Sequence, residues 1–441
     1  LGLFFEHEGT GAEVMVLEND DDNKVFSATF RTPPTNDAGV AHILEHSVLC
    51  GSKNFPIKEP FVELMKGSLQ TFLNAMTFPD KTMYPVASRN KKDFFNLMNV
   101  YMDAVFYPII SEDTFKQEGW HYELTKPEDK IVYKGVVFNE MKGDMSSPRS
   151  VLWETLNRYL FPTATYHHNS GGDPVAITDL THTALKAFYK AHYHPSNAIF
   201  MSFGNLEVSA LQSLMDDRVL SHFEKQSTQI AVLPEQRWSG PVRVQEPYGI
   251  GGDEAESAKS HLMLAWLLGK STDLKAMLEA TLLADALLDT SASPLRRALE
   301  GFPGAQGVSP LCGLEESHFE MSFVCGLEGV SEPDIAAFLP FSPKSILLLL
   351  VYVKNYGYLL STRLLKARIS ILSQISAATN GSFDVKSSIA ALSLASSIYK
   401  LPIIFFMLSS IKGPDIIFLI LVRLFKYSTC AGIAADRRHC C

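Results

Sequence analysis

The chain has 441 residues, with Lys+Arg 39 against Asp+Glu 48, a net charge of −9, and a composition that is 46% hydrophobic and 20% charged. That length exceeds what one core holds, so two or three domains are expected, and the composition excludes a disordered, collagen-like or fibrous chain. The acidic balance excludes a broad phosphate-neutralising surface and with it a nucleic-acid partner, while six cysteines without a C-x-x-C pair exclude a disulfide framework and a thiolate zinc site.

In chain order, Ala12 to Leu17 and Val25 to Arg31 read as strands joined by a polar turn over 18–23. Asp37 precedes Gly39 to Leu49, whose apolar residues recur at helical spacing and which Gly51 terminates, so an N-capped helix is predicted. Phe61 to Leu69 predicts a helix, Thr71 to Thr77 and Thr82 to Ala87 strands, and Lys91 to Phe106 a long amphipathic helix stopped by Pro108. Helices fit Val136 to Met145, Ser150 to Arg158, Thr181 to His192 and Ala210 to Phe223, with a strand over Ala198 to Phe203. Pro234 to Asp253, with Pro241, Pro247 and a Gly249/Gly251/Gly252 cluster, reads as a linker. Beyond it His261 to Leu268 and Phe319 to Leu327 predict strands, and Asp273 to Leu288 and Pro294 to Leu299 helices. The class is therefore mixed α and β.

The composition breaks near residue 340. Residues 341–441 hold 12 Lys+Arg against three acidic residues (Asp384, Asp415, Asp436), whereas the acidic excess lies before them. The apolar blocks Ile346 to Val353, Leu401 to Leu408 and Ile416 to Val422 are interrupted by Lys354, Lys412, Pro414 and Asp415, short of the roughly 18 consecutive apolar residues that a spanning helix needs, so no membrane insertion is expected. The chain begins Leu1-Gly2-Leu3, and no basic stretch followed by an apolar run reads as a targeting segment.

One constellation carries chemistry. His42-Ile43-Leu44-Glu45-His46 is H-x-x-E-H on a predicted helix, which places the imidazoles at i and i+4 on one face with a carboxylate beside them. That order is the inverted zinc-hydrolase motif, in which the histidines bind Zn²⁺ and the glutamate, here Glu45, is the unligated general base. A hydrolytic zinc needs a third protein ligand from elsewhere in the chain. Glu140 lies on a second helical pattern, Tyr133 to Gly143, where the pattern alone reads as a solvated helix carboxylate.

Several blocks in order resemble the presequence-protease branch of the M16 metallopeptidases. They include Arg31-Thr32-Pro33-Pro34, Ala41 to Gly51, Lys58 to Leu64, Thr71 to Ala75, Tyr84 to Ser88, Gln117-Glu118-Gly119-Trp120-His121, Gly135 to Gly143, Ser170 to Pro174, His192 to Asn197 and Ser291 to Leu295. The resemblance runs from about His7 to about Ala337 and implies the N-terminal half of such an enzyme. By resemblance the fold is α+β, with M16-type domains that are each a mostly antiparallel sheet with helices packed on it. The expected domains are a catalytic zinc-binding domain over 1–235, a linker over 236–253, an incomplete second domain over 254–338, and over 339–441 an apolar basic tail that is not a native domain.

The resemblance also assigns roles. It makes Glu140 the third ligand, beside His42 and His46, of one Zn²⁺, and makes Leu73-Asn74-Ala75-Met76-Thr77 the sheet edge on which an extended peptide adds as a strand. The implied function is a zinc-dependent endopeptidase that degrades unfolded or short peptides such as cleaved organellar targeting presequences, in the mitochondrial matrix or chloroplast stroma. The implied partner is a C-terminal half, which supplies further active-site residues. The alternative is a catalytically inactive half-enzyme or an M16-type interaction subunit, active only with a second half.

Other features read as structural. His192 and His194 flank a helix end, His167-His168 is a loop pair, Gly171-Gly172-Asp173-Pro174 is a turn without the Gly-Lys-Ser/Thr of a phosphate loop, and Cys50 is a buried thiol. Cys440-Cys441 after Arg437-Arg438 is a weak prenylation-like end.

Overall fold

The computed structural model describes residues 2–227, 229–251, 257–335 and 338, with the backbone of residues 418–424. It divides into two units, one comprising residues 1–150 and 161–234, the other 151–160 and the described residues from Glu235 onward.

The first unit is built on a seven-stranded sheet of β1 (Gly2–Glu6), β2 (Glu13–Glu18), β3 (Lys24–Arg31), β4 (Gln70–Leu73), β5 (Met76–Thr77), β6 (Lys81–Ser88) and β9 (Ala198–Gly204). The order is β1-β2-β9-β3-β6-β4, with β5 also on β6, and every pairing is antiparallel except β2 with β9. A separate hairpin pairs β7 (His121–Glu123) with β8 (Val132–Lys134). The helices are α1 (Val40–Val48), α2 (Pro60–Gly67), α3 (Lys91–Phe106), α4 (Glu112–Glu118), α5 (Val136–Asp144), α7 (Pro174–Ile177), α8 (His182–His192) and α9 (Val208–Arg218); α6 (Pro148–Leu160) begins in this unit and lies mostly in the other.

Strand alternation explains the core. Phe26, Ala28 and Phe30 of β3 all point to one face and are buried, Phe30 stacking on Tyr193 at 4.5 Å and meeting the edge of Phe106 at 5.4 Å. Each such aromatic contributes roughly 1.5–3 kcal/mol by burial. α3 lays Phe94, Leu97, Met98, Tyr101 and Val105 on this core, and its first turn is capped by the Asn90 side chain, which accepts from the Asp93 N–H.

Two local expectations change. Asp37 does not cap α1: the residue before the helix is Gly39 at φ 65°, and no side chain caps it. Asp37 instead accepts from the Asn169 N–H at 2.8 Å, so its carboxylate ties a distant loop down. The strand expected over Thr71 to Thr77 is split into β4 and β5 around Asn74 and Ala75. The cause lies opposite, where Pro85 of β6 accepts from the Asn74 N–H but has no N–H to return, so one rung of the ladder is missing.

The second unit carries a six-stranded sheet of β10 (Arg243–Tyr248), β11 (Ser260–Lys270), β12 (Gly307–Val308), β13 (Gly313–Glu315), β14 (Glu320–Val330) and β15 (Phe418–Leu424), in the order β10-β15-β11-β14-β12 with β13 on β14. Residues 236–253, expected to be a linker, thus contain a strand, whose alternating exposure fits one half-buried face. α10 (Leu274–Leu288), capped by the Asp273 side chain, and α11 (Pro294–Glu300) bury Leu287, Leu288, Leu295 and Leu299 against Leu262, Leu264 and Leu327 of the sheet. Of the tail over 339–441 only the backbone of β15 is described; the blocks Ile346 to Val353 and Leu401 to Leu408 and the cysteine pair at the end lie outside the described residues. Among the described residues no helix is long and apolar enough to cross a membrane.

The sequence pattern missed the shortest elements. α4 is seven residues of E-D-T-F-K-Q-E with one large apolar side chain, Phe115, and offers no helical period to detect.

Candidate metal centre

α1 packs against α4, α8, β5 and β6, and buries Ala41, Ile43, Leu44 and Val48 completely. That apolar face fixes the rotation of the helix and leaves His42 and His46, one turn apart, on the opposite edge with ring centroids 5.0 Å apart. Their side chains are 12% and 26% exposed. α5 brings the third group. Val137, Phe138 and Met141 are buried, and Glu140 projects from the other side, 54% exposed, with Oε2 at 3.7 Å from His42 Nε2 and 3.9 Å from His46 Nε2.

These three ligand atoms lie within 4.8 Å of one another, the one such group of three or more found among the described residues. A four-coordinate zinc with bonds of about 2.0–2.2 Å places its ligand atoms roughly 3.3–3.6 Å apart. The two carboxylate-to-imidazole distances exceed that by a few tenths of an ångström, and no pair of the three ligand atoms is more than 4.8 Å apart, so small side-chain rotations bring two imidazoles and a carboxylate onto such an ion.

The outer hydrogen bonds fix which nitrogen is free. His42 Nδ1 lies 3.2 Å from the carbonyl oxygen of Gly171, which can only accept, so the hydrogen sits on Nδ1 and the Nε2 lone pair faces Glu140. His46 Nδ1 donates in the same way to Glu118 Oε2 at 3.2 Å. Burial opposes charge on His46, but the Glu118 hydrogen bond and the carboxylates of Glu45, Glu118 and Glu140 outweigh it and raise its pKa. Glu118 is buried too, which alone would raise its pKa; its hydrogen bonds to His46 and Gln117 prevail and lower it.

Glu45 sits beneath this pair, 7% exposed, and its Oε2 accepts from the Thr77 hydroxyl at 2.6 Å. Tyr84 and Tyr193, hydroxyl to hydroxyl at 2.7 Å, and Tyr101 surround the same region; burial foremost, then neighbouring charges including Glu45, keep all three phenols protonated. Leu73, Asn74, Ala75, Met76 and Thr77 form the outer edge of the sheet beyond β6. The Asn74 and Phe78 N–H groups bond to Pro85 and Lys81 of β6, so by strand alternation the backbone groups of Leu73, Ala75 and Thr77 point to the open edge.

The remaining histidines do not join the centre. His192 Nδ1 donates to the Phe188 carbonyl and stacks on the Phe188 ring, and His194 Nδ1 accepts from the Ser196 N–H. Cys50 bonds to the His46 carbonyl, and burial with Glu118 pushes its thiol up to about 12. An open cavity of about 850 Å³ beside the β7–β8 hairpin, lined by Phe115, Trp120, Tyr122, Lys134 and Val136 among others, includes none of His42, Glu45, His46 or Glu140.

Three contributions were not legible in the sequence: the Glu118 carboxylate, the Gly171 carbonyl and the Thr77 hydroxyl. Glu118 and Gly171 stand in blocks that carry the family resemblance, and Thr77 lies on the predicted strand edge, whose pattern speaks only for its backbone.

Residues 30–147 match the family model described as insulinase (peptidase family M16), and residues 179–313 the one described as the peptidase M16 inactive domain. The chain is 47% identical over 338 residues to presequence protease 1, chloroplastic/mitochondrial, of Arabidopsis thaliana, covering 76% of this chain and 31% of that protein. It is 46% identical over 301 residues to protein HypA of Clostridium perfringens, covering 68% and 31%. With the mitochondrial presequence protease of Danio rerio it shares 40% over 334 residues, covering 74% and 32%. The chain thus spans about a third of the length of the curated relatives it matches. In fold it is similar to a protease from Helicobacter pylori, with a TM-score of 0.68 at 15% identity over 96% of this chain and 99% of that one. The first half of the periplasmic protease PqqL from Escherichia coli gives 0.60 at 13%, over 96% and 92%.

Proposed function

Because this chain belongs to the M16 peptidase family, in its presequence-protease branch, we propose that it supplies the zinc-binding catalytic part of an endopeptidase for unfolded or short peptides, cleaved organellar targeting sequences among them. The observation that carries the reading is the convergence of His42 Nε2, His46 Nε2 and Glu140 Oε2 with Glu45 on the same helix. These three residues would hold the ion. When bound, zinc would supply Lewis-acid polarisation of the scissile carbonyl and of the attacking water.

The chain's own groups do the rest. Gly171 O and Glu118 hold the two imidazoles with Nε2 forward. Glu45 takes the proton of the attacking water on its carboxylate and returns it to the leaving amine, so that one C–N bond is exchanged for one C–O bond with no net proton change. An extended peptide adds along Leu73 to Thr77, where outward N–H and C=O groups await a partner and bind backbone without selecting strongly among side chains. The location implied by the names of the relatives is the mitochondrion or chloroplast.

Since the chain spans about a third of those relatives, a second reading places turnover in an assembly with a further half, and makes this part alone a metal- and peptide-binding unit. One experiment addresses both. Zinc content and cleavage of an internally quenched peptide are measured for wild type, Glu45→Gln, His42→Ala and Glu140→Ala, with and without a separately expressed remainder of a relative. Glu45→Gln is expected to keep stoichiometric zinc and lose roughly 10²–10⁴-fold in turnover. His42→Ala and Glu140→Ala are expected to lose the metal, and full zinc retention in either refutes the ligand set. Turnover that appears only with the added remainder supports the second reading.

A further inference from the structure

β5 is two residues long, yet one of them touches both the open sheet edge and the catalytic helix. Thr77 faces outward through its backbone, because the neighbouring Phe78 N–H is spent on Lys81 of β6. Its side chain turns at right angles to the sheet, and its hydroxyl donates to Glu45 Oε2 at 2.6 Å. Among the described residues no other side chain donates to that carboxylate, which is otherwise walled by α1 and the buried tyrosines. On the far side Thr77 pairs with Thr82, whose hydroxyl meets the Thr32 hydroxyl at 2.8 Å, so the strand is anchored from behind.

We propose that Thr77 is a positioning residue: its hydroxyl holds Oε2 so that Oε1 faces the attacking water, and because its backbone borders the added peptide strand, substrate docking and alignment of the base act through one residue. This rests on the peptidase reading of the site. The physical argument is geometric. A buried carboxylate on a helix has two free side-chain torsions beyond Cβ, and one short hydrogen bond from a β-branched, rotamer-restricted donor removes most of that freedom. The proton then moves from water oxygen to Oε1 and on to the leaving nitrogen, while the Thr77 hydrogen stays on its own oxygen.

The test uses Thr77→Val, which keeps the shape and deletes the donor, and Thr77→Ser, which restores the donor. Zinc-loaded proteins are compared by metal content, melting temperature, kcat and KM on a quenched extended peptide, supplied with the remainder of a relative if turnover requires it, and by crystal structures of both variants. Thr77→Val is expected to keep its zinc and its KM and lose up to roughly 10²-fold in kcat, the scale of a base misplaced by about 1 Å, while Thr77→Ser recovers to within a few-fold. In the Thr77→Val crystal the Glu45 carboxylate is expected to shift by more than about 0.5 Å or to occupy two rotamers. An unchanged kcat, a Thr77→Ser variant as impaired as Thr77→Val, or a carboxylate that stays in place overturns the proposal. The crystallographic arm decides even for a preparation without turnover. Wild-type turnover by Glu45→Gln would instead sink the peptidase reading itself, a separate failure.

Discussion

His46 Nδ1 lies 3.2 Å from Glu118 Oε2, a bond that spans 72 residues of sequence and joins α1, the helix of the H-x-x-E-H motif, to a seven-residue helix outside that motif. The carboxylate orients the ring and raises the basicity of the opposite nitrogen, the one that faces Glu140. Glu118→Gln keeps an acceptor of the same shape and removes the charge. It is expected to weaken zinc affinity roughly 10–100-fold while leaving the fold intact, measured by competition against a chromophoric chelator. An unchanged affinity would show that Glu118 only fills space.

Gly39 and Gly171 hold the other imidazole. Gly39 is at φ 65°, and a Cβ there would lie 2.7 Å from the Gly171 oxygen that accepts from His42. Gly39→Ala therefore combines left-handed strain with a clash against the very atom that orients the ligand. The expected loss is about 1–3 kcal/mol of stability together with weaker zinc binding. Denaturant unfolding and the same chelator competition read the two effects separately.

His192 and His194 give the first unit a pH dependence. Burial holds both below the ordinary histidine value, and the bond from His192 to the Phe188 carbonyl offsets this only in part. The unfolded chain then binds protons more readily than the folded one as pH falls below about 6.5, so the stability they contribute is present above that value and is lost on acidification towards the folded pKa. Raised His46 acts in the opposite sense in the metal-free protein, its contribution lost as pH rises through the folded value. The informative quantity is thus a difference: His192→Gln should lose less of its urea midpoint between pH 7.5 and 5.5 than wild type does. An equal loss in both would exclude His192 as a contributor.

The Cys50 thiol, raised to about 12 and bonded to the His46 carbonyl, is expected to resist alkylation by iodoacetamide at pH 8 in the native protein and to react on unfolding. Peptide mass spectrometry after brief labelling checks this. Native labelling as fast as that of the unfolded protein would show that the His46 to Cys50 turn opens readily.

Much of this protein is written in local pattern. The period of Val40 to Val48 and of Lys91 to Phe106 specifies helices whose apolar faces must be buried, and H-x-x-E-H places two imidazoles one turn apart because helix geometry leaves no other option. The alternation in Lys24 to Arg31 likewise specifies an interior strand with Phe26 and Phe30 on one side. What a single helix cannot specify is what faces it. Glu140 reaches His42 and His46 only because α5 packs beside α1, and His42, His46 and Glu45 find their hydrogen-bond partners 129, 72 and 32 residues away. The break between β4 and β5 was equally invisible, since its cause is a proline on the neighbouring strand. Sequence determined the donor types and their helical spacing, because those depend on covalent neighbours. Tertiary structure decided which nitrogen is free, which carboxylate is exposed and which hydroxyl bonds to Glu45, because those depend on elements that meet only when the sheet and helices pack.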